Sequence, residues 1–165
     1  MIRITNREDM GAYLKDASNF SGGRAEIVVI PQSTQELAEF MKTNQGPIAI
    51  AGGGTGVTAG RIPSSGTIVS MELFDHLGEL GEGNIWVESG VRLTDLNARL
   101  NGTPWFYPPN PTEMLAFVGE TVATNASGSR SYKYGATRDY VLELEVVLAD
   151  GKIIHLKRGH SIESP

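Results

Sequence analysis

The chain has 165 residues, among them 20 Gly, 8 Pro and no Cys, with 19 acidic against 14 basic side chains for a formal charge of -5. That length suits one domain, the lack of Cys removes disulfide frameworks, thiolate metal sites and iron–sulfur clusters, and the acidic balance excludes a partner held by phosphate contacts, so no nucleic acid is expected. No apolar run approaches a transmembrane segment and no apolar signal stretch follows Met1, so the cytoplasm is the expected compartment.

In chain order, Asp9–Lys15 reads as a short first helix. Ala25–Ile30 (AEIVVI) is β-branched and stopped by Pro31, which makes it a strand. Ser33 opens an S-T-Q-E capping box, in which its hydroxyl accepts the Glu36 N–H and Glu36 reaches back. Leu37, Phe40 and Met41 follow at helical spacing, so the helix runs to about Lys42 with one apolar face. Asn44-Gln45-Gly46 ends it, and Ile48–Ala51 (IAIA) is a buried strand. Strand, helix and strand at this spacing form a βαβ unit with a parallel pair. Thr67–Met71 and Ile85–Ser89 are further strands, and Arg92–Leu100 is a short helix. Thr103–Thr112 holds three aromatics and four prolines, too stiff and irregular for either element. Gly119–Ser131 is a second small-residue segment. Val141–Leu148, an Asp150-Gly151 turn and Ile153–Leu156 read as a hairpin. The expected fold is therefore α+β, a single domain over 1–165 made of two small α/β subdomains. The first, about 1–103, is of parallel βαβ type; the second, about 104–165, is mainly antiparallel and incomplete.

Glycine is in excess, 20 in 165 residues being about 12% against a usual 7% or so. The excess is concentrated, since six of the glycines fall between Gly52 and Gly66. In IAIAGGGTGVTAGRIP (Ile48–Pro63) a Gly run follows a buried strand, where inward-turned backbone N–H groups form a nest for an anion without lysine. The lack of any Lys between Gly52 and Gly66 argues against a P-loop. Gly54, Gly56 and Ala59 fit G-x-G-x-x-A, with Glu72 at about the spacing a dinucleotide fingerprint asks. The helix that must follow is what fails, because Gly60, Pro63 and Gly66 interrupt it. A loop that merely crosses under a strand is the bland alternative.

These residues resemble the FAD-binding domain of the vanillyl-alcohol-oxidase and p-cresol-methylhydroxylase superfamily. Within it they look most like FAD-linked oxidases of the glycolate-oxidase-subunit and D-lactate-dehydrogenase type. The likeness spans about Ile27 to Gly159 and rests on ordered motifs: VVIPQSTQELAEFMK, GGGTGVTAG, PPNPT (Pro108–Thr112) and VGETVATNASGSRSYKYGATRDYVLELEVVLADG (Val118–Gly151). It implies FAD lying between the two subdomains. By this resemblance Gly52, Gly53, Gly54, Thr55 and Gly56 cradle the pyrophosphate, Thr55 adding a hydroxyl. Pro109, Asn110 and Thr112 line the flavin or ribityl side. Asn125, Ala126, Ser127, Gly128 and Ser129 form a second wall, and Tyr134 and Gly135 close the turn behind it. Two positions depart from the family pattern: Ser127 stands in an Ala-Gly-Gly stretch, and Glu120 stands where a second Gly is common. Glu120 is expected to face solvent. Members that attach flavin covalently through this loop place His where Thr55 stands, so FAD is expected to be non-covalent.

Family enzymes are much longer and build the substrate pocket from a cap domain and later segments. The resemblance thus implies the FAD-binding portion of a flavin-dependent oxidoreductase that oxidises a 2-hydroxy acid by hydride transfer to FAD. Its small-molecule substrate would be met through a cap domain absent here, and the fragment alone would be inactive or nearly so. The electron acceptor is not specified. A reading of another class is a non-enzymatic ligand-binding or interaction domain on the same fold.

No catalytic residue is nominated. His76 reads as surface, His155 as a structural strand residue and His160 as part of a polar tail, and no metal-ligand spacing occurs. Arg130, Lys133 and Arg138 suit an exposed loop face better than a contact to cofactor phosphate or substrate carboxylate. Trp105, Phe106 and Tyr107 suit either a flavin ring or ordinary burial. Asp95, Arg99, Glu36 and Lys42 read as solvated helix faces.

Overall fold

Asn6 starts the first helical turn by accepting the Glu8 N–H on its side chain, and the turn ends within four residues. In this computed structural model, which describes residues 1–159, that turn (α1, Arg7–Met10) follows a short strand, β1 (Ile2–Ile4). The helix expected over Asp9–Lys15 is thus earlier and shorter, and β1 had no sequence signal. His160 lies outside the described residues.

Next come β2 (Ile27–Ile30), α2 (Thr34–Thr43), β3 (Ile48–Ala51) and β4 (Thr67–Ser70). They form one sheet in the order β1-β2-β4-β3, with β1 antiparallel and the rest parallel. The expected parallel relation of β2 and β3 holds, but the two are not neighbours. β4 lies between them, with Ile68 opposite Val28 on one side and Ala49 on the other. All four β4 residues are buried, which is why TIVS shows no polar alternation.

Alternate residues of these strands feed two opposite faces. Val28, Ile30, Ala51 and Ile68 pack with Met10 on one face. Val29 and Val69 pack with Leu37 and Phe74 on the other. The Ser33 hydroxyl caps α2 as expected, accepting the Glu36 N–H at 3.2 Å. The return contact is displaced by one residue: Glu36 Oε2 accepts the Gln32 N–H at 2.9 Å and pairs with the Met1 amino group at 2.5 Å. The Met1 amino group first, and the Gln32 N–H second, hold the Glu36 carboxyl below its ordinary pKa. Glu36 is therefore tied down rather than a bare solvated face.

β5 (Leu77–Leu80) and β6 (Ile85–Val87) form an antiparallel pair. Only β6 is legible in the sequence, because LGEL carries little strand propensity. Its Gly78 lets the strands close up, since a Cβ there would sit 3.1 Å from the Trp86 carbonyl oxygen. α3 (Leu93–Leu100) packs Leu96 and Leu100, with Val91, against Leu77, Leu80, Ile85, Val87 and Tyr107. The proline-rich Thr103–Thr112 stretch contains no helix or strand, as expected. The small-residue segment after it does not stay irregular: α4 (Val118–Ala123) and α5 (Ser131–Tyr134) are helical, and a 3-10 turn covers Thr137–Tyr140.

The described chain closes with the expected hairpin, β7 (Glu143–Val147) and β8 (Ile153–Lys157), paired from Glu143 opposite Lys157 to Val147 opposite Ile153. Parallel and antiparallel sheets with covering helices make the fold α+β, in agreement with the sequence. Among the described residues no helix is long and apolar enough to cross a membrane.

Candidate functional site

The connection from β3 to β4 contains no helix, so the element a dinucleotide fingerprint requires is absent. The glycines at its start have separate steric reasons. A Cβ on Gly52 would lie 2.8 Å from Glu120 Oε2 and 3.0 Å from Glu120 Cβ. A Cβ on Gly53 would lie 3.0 Å from the Leu115 carbonyl oxygen. Gly54 sits at φ +77, a conformation that L side chains rarely adopt.

Glu120 does not face solvent, which corrects the expectation above. Its Oε2 accepts the Gly53 N–H at 2.9 Å and the Phe117 N–H at 3.4 Å, and its Oε1 accepts the Thr55 hydroxyl at 2.6 Å. The cause is local. A carboxylate three residues into a helix turns back onto first-turn N–H groups, and here the glycine loop presents its own donors on that side. The loop and α4 are thereby joined through an anion that belongs to the chain.

Arg61 supports the loop from behind, donating from Nη1 to the Gly52 carbonyl at 2.9 Å. Burial lowers its guanidinium pKa, while Glu120, Asp16 and Glu72 act to raise it. Arg61 Nε and Asp16 Oδ2 are buried without a hydrogen-bond partner. Nearby, the Tyr13 hydroxyl donates to Glu72 Oε1 at 2.8 Å. A cleft of about 410 Å³ opens here, bordered by Tyr13, Gly53, Arg61, Ser70, Glu72 and Phe117 among others. The glycine pattern, which needs no lysine, does not by itself point to this group. The available signal was Arg61 itself, the lone basic residue between Gly52 and Gly66.

Burial, and then Glu72, push the Tyr13 phenol from 10.0 up to about 12. A pKa raised on folding contributes stability that is complete below pH 10.0 and disappears as pH climbs towards 12. Thermal melts across that window are expected to show a loss of stability in the wild type that Tyr13→Phe lacks. Identical alkaline profiles for the two proteins would refute it.

The two groups of residues assigned to opposite stretches of chain do meet. Pro111 and Gly128 form an isolated antiparallel bridge, and Asn110 Nδ2 donates to Ser129 Oγ at 3.1 Å. A Cβ on Gly128 would sit 1.6 Å from the Asn110 carbonyl oxygen, so only glycine permits this approach. The Gly128 N–H donates to the Ser131 hydroxyl at 2.9 Å. Asn125, at φ 47, accepts the Arg138 N–H on its side chain at 3.0 Å. The Ala126 carbonyl accepts the Thr137 hydroxyl at 2.9 Å. Thr137 is fully buried, and so nearly is Thr121. Both lie beside the Tyr107 phenol, whose pKa burial raises. The Tyr134 carbonyl accepts the Tyr140 hydroxyl, and Gly135 turns at φ +88 against the Asp139 carboxylate. Pro109 is buried in this frame, whereas Thr112 and Ser127 are exposed. α4 links this wall to the glycine loop.

The remaining side chains stay at the surface. Arg130, Lys133 and Arg138 are exposed. Arg130 lies 6.0 Å from the centre of the Phe106 ring and Lys133 lies 4.8 Å from that of Tyr134. Phe106 meets Tyr134 edge-on at 5.6 Å, and about half of Trp105 and Phe106 is open to solvent. His76 is exposed, and so is His155, 3.6 Å from a Glu145 carboxylate oxygen. Asp95, Arg99 and Lys42 are exposed as read.

Residues 25–157 match the protein family described as the FAD binding domain. The D-lactate dehydrogenase of Anaerostipes hadrus is 36% identical over 143 residues, a span of 83% of this chain and 30% of that protein. Glycolate oxidase subunit GlcD of Bacillus subtilis (strain 168) is 35% identical over 151 residues, a span of 86% and 32%. The chain therefore spans about a third of the length of these relatives. Among solved structures, a chitooligosaccharide oxidase superposes with a TM-score of 0.81 at 14% identity, over 94% of this chain and 34% of that one. The 6-hydroxy-D-nicotine oxidase of Arthrobacter nicotinovorans does so with 0.79 at 19% identity, over 94% and 35%. At such identities these structures show a shared fold. With its loop, its wall and a match over most of its length, the chain belongs to the FAD-binding domain family.

Proposed function

We propose that this chain is the FAD-binding portion of an oxidoreductase that removes a hydride from the α-carbon of a 2-hydroxy acid, with the FAD held non-covalently. The observation that carries the cofactor reading is the convergence of the Gly53 N–H and the Thr55 hydroxyl on one anionic group, at 2.9 and 2.6 Å. Donors that converge on a carboxylate in this way also suit a phosphate oxygen. With glycine at 52, 53 and 54 no loop side chain screens these backbone donors, so the residues present suit an FAD pyrophosphate once Glu120 moves aside.

In this reading the two subdomains face the cofactor from two sides. Gly52, Gly53, Gly54, Thr55 and Gly56 would hold the pyrophosphate. Pro109, Asn110 and Thr112 would border the flavin or ribityl part, opposite Asn125, Ala126, Ser127, Gly128, Ser129, Tyr134 and Gly135. Thr55 offers no ring nitrogen for attachment, which supports non-covalent binding. Bound flavin supplies the hydride acceptor, and the protein supplies position and electrostatics. D-lactate and glycolate, for which two relatives are named, are both 2-hydroxy acids, which supports that substrate class. Substrate contacts are assigned to further segments of a longer protein, so this chain alone is expected to bind FAD without sustained turnover.

The test is direct. Purified protein, as isolated or after mixing with FAD, is expected to be yellow and to release its FAD on acid precipitation. Colourless protein that takes up no FAD would refute the cofactor reading; colour left on the precipitate would refute the non-covalent one. The contact that favours a domain without redox chemistry is Glu120, whose carboxylate lies across the loop.

A further inference from the structure

We infer that Glu120 acts as a built-in competitor for the pyrophosphate site, an internal anion that must leave before FAD is seated, and so sets how tightly this chain holds its cofactor. The inference rests on the FAD reading above. Its ground is that the loop's donors are already engaged. The Gly53 N–H and the Thr55 hydroxyl both end on the Glu120 carboxylate, and the Phe117 N–H reaches the same oxygen as Gly53. A backbone N–H has a single proton to donate, so Gly53 cannot serve Glu120 and a phosphate oxygen at full strength together.

Glu120 also lies in close steric contact with the loop. The Glu120 side chain passes so close to the loop that a Cβ on Gly52 would meet it at 2.8–3.0 Å. Two like charges crowded at a half-buried loop repel more strongly than they would in water. Arg61, the loop's own cation, has Glu120 as the strongest of the acidic influences upon it. Part of the positive field that a pyrophosphate would use is thus spent on the carboxylate. Entry of FAD requires Glu120 to swing away, giving up charge-assisted hydrogen bonds, and the observed affinity falls by that cost.

The experiment compares FAD titrations, by calorimetry or flavin fluorescence, of the flavin-stripped chain and of its Glu120→Gln and Glu120→Ala variants. Gln keeps an oxygen to accept the Gly53 N–H but removes the charge; Ala removes the side chain altogether. Both are expected to bind FAD about tenfold more tightly than the wild type, or better. The wild type should also gain more affinity from added sodium chloride than either variant, because salt screens the repulsion that only it retains. Uptake of FAD by the variants alone is the extreme form of the same result. Circular dichroism melts check that each protein is folded. Binding by Glu120→Gln that equals or falls below the wild type would overturn this inference and leave the FAD reading standing. Absence of FAD uptake by all three folded proteins would overturn the FAD reading and this inference with it.

Discussion

Gly128→Ala is expected to lower stability by about 3 kcal/mol or more and to abolish FAD retention. The added methyl would sit 1.6 Å from the Asn110 carbonyl oxygen, 2.3 Å from its carbon and 2.8 Å from Pro111 N. All three are backbone atoms, so no side chain can rotate aside. Nor can the backbone retreat cheaply, because buried prolines at 109 and 111 flank it and fix its torsions. The bridge between Pro111 and Gly128 must open, and the Asn110 to Ser129 hydrogen bond opens with it. Thermal and urea melts read the first effect, and an FAD titration reads the second. The control is Ser127→Ala, one residue away but exposed, with an expected change within about 0.5 kcal/mol. A Gly128→Ala protein that melts with the wild type would show that the two segments of the wall do not touch.

The other large effect belongs to the centre of the sheet. Ile68 is fully buried, lies between Val28 and Ala49, and packs in the cluster with Met10, Ile30 and Ala51. Truncation to alanine removes three carbons from a close-packed site with no water to fill the space, and is expected to cost about 4 kcal/mol. That is a large part of the roughly 5–15 kcal/mol typical of a domain. Ile68→Val should cost about 1 kcal/mol. Ile50, on the neighbouring strand but 53% exposed, should lose less than about 1 kcal/mol on the same change to alanine. Urea midpoints for the three variants give the ranking, and an Ile50 effect equal to that at Ile68 would refute it.

Local pattern carried the elements whose cause is local. IAIA is β3 to the residue, Ser33 caps α2, and the hairpin turns at Asp150-Gly151. The position of β4 between β2 and β3 was not legible, because the periodicity of a strand says nothing about which partner it takes. β5 was hidden because its glycine is chosen for contact with Trp86 rather than for strand propensity. At the site, the glycine run pointed to an anion before any fold was known. The direction of Glu120 could not be read in the same way. It depends on a loop more than sixty positions away presenting donors to α4, and position 120 alone suggests only a charged residue seeking water. Arg61 shows the reverse case: the residue was visible, but its role became clear only when burial placed it under Gly52.

The terminal hairpin has a kinetic consequence. Val147 packs into the cluster of Leu37 and Val69, and the Thr34 hydroxyl donates to Glu145 at a sequence separation of 111. Gly151 lies directly against the Ala38 carbonyl, where a Cβ would come within 2.4 Å. One edge of α2, at Thr34 and Ala38, is therefore closed by residues more than a hundred positions further along the chain. Closing so long a loop is slow because its entropy must be lost before any contact rewards it. Leu37 itself is covered by Val29, Val69 and Phe74, which lie much nearer in sequence, so the hairpin's contacts are expected to be the last of this cluster to form.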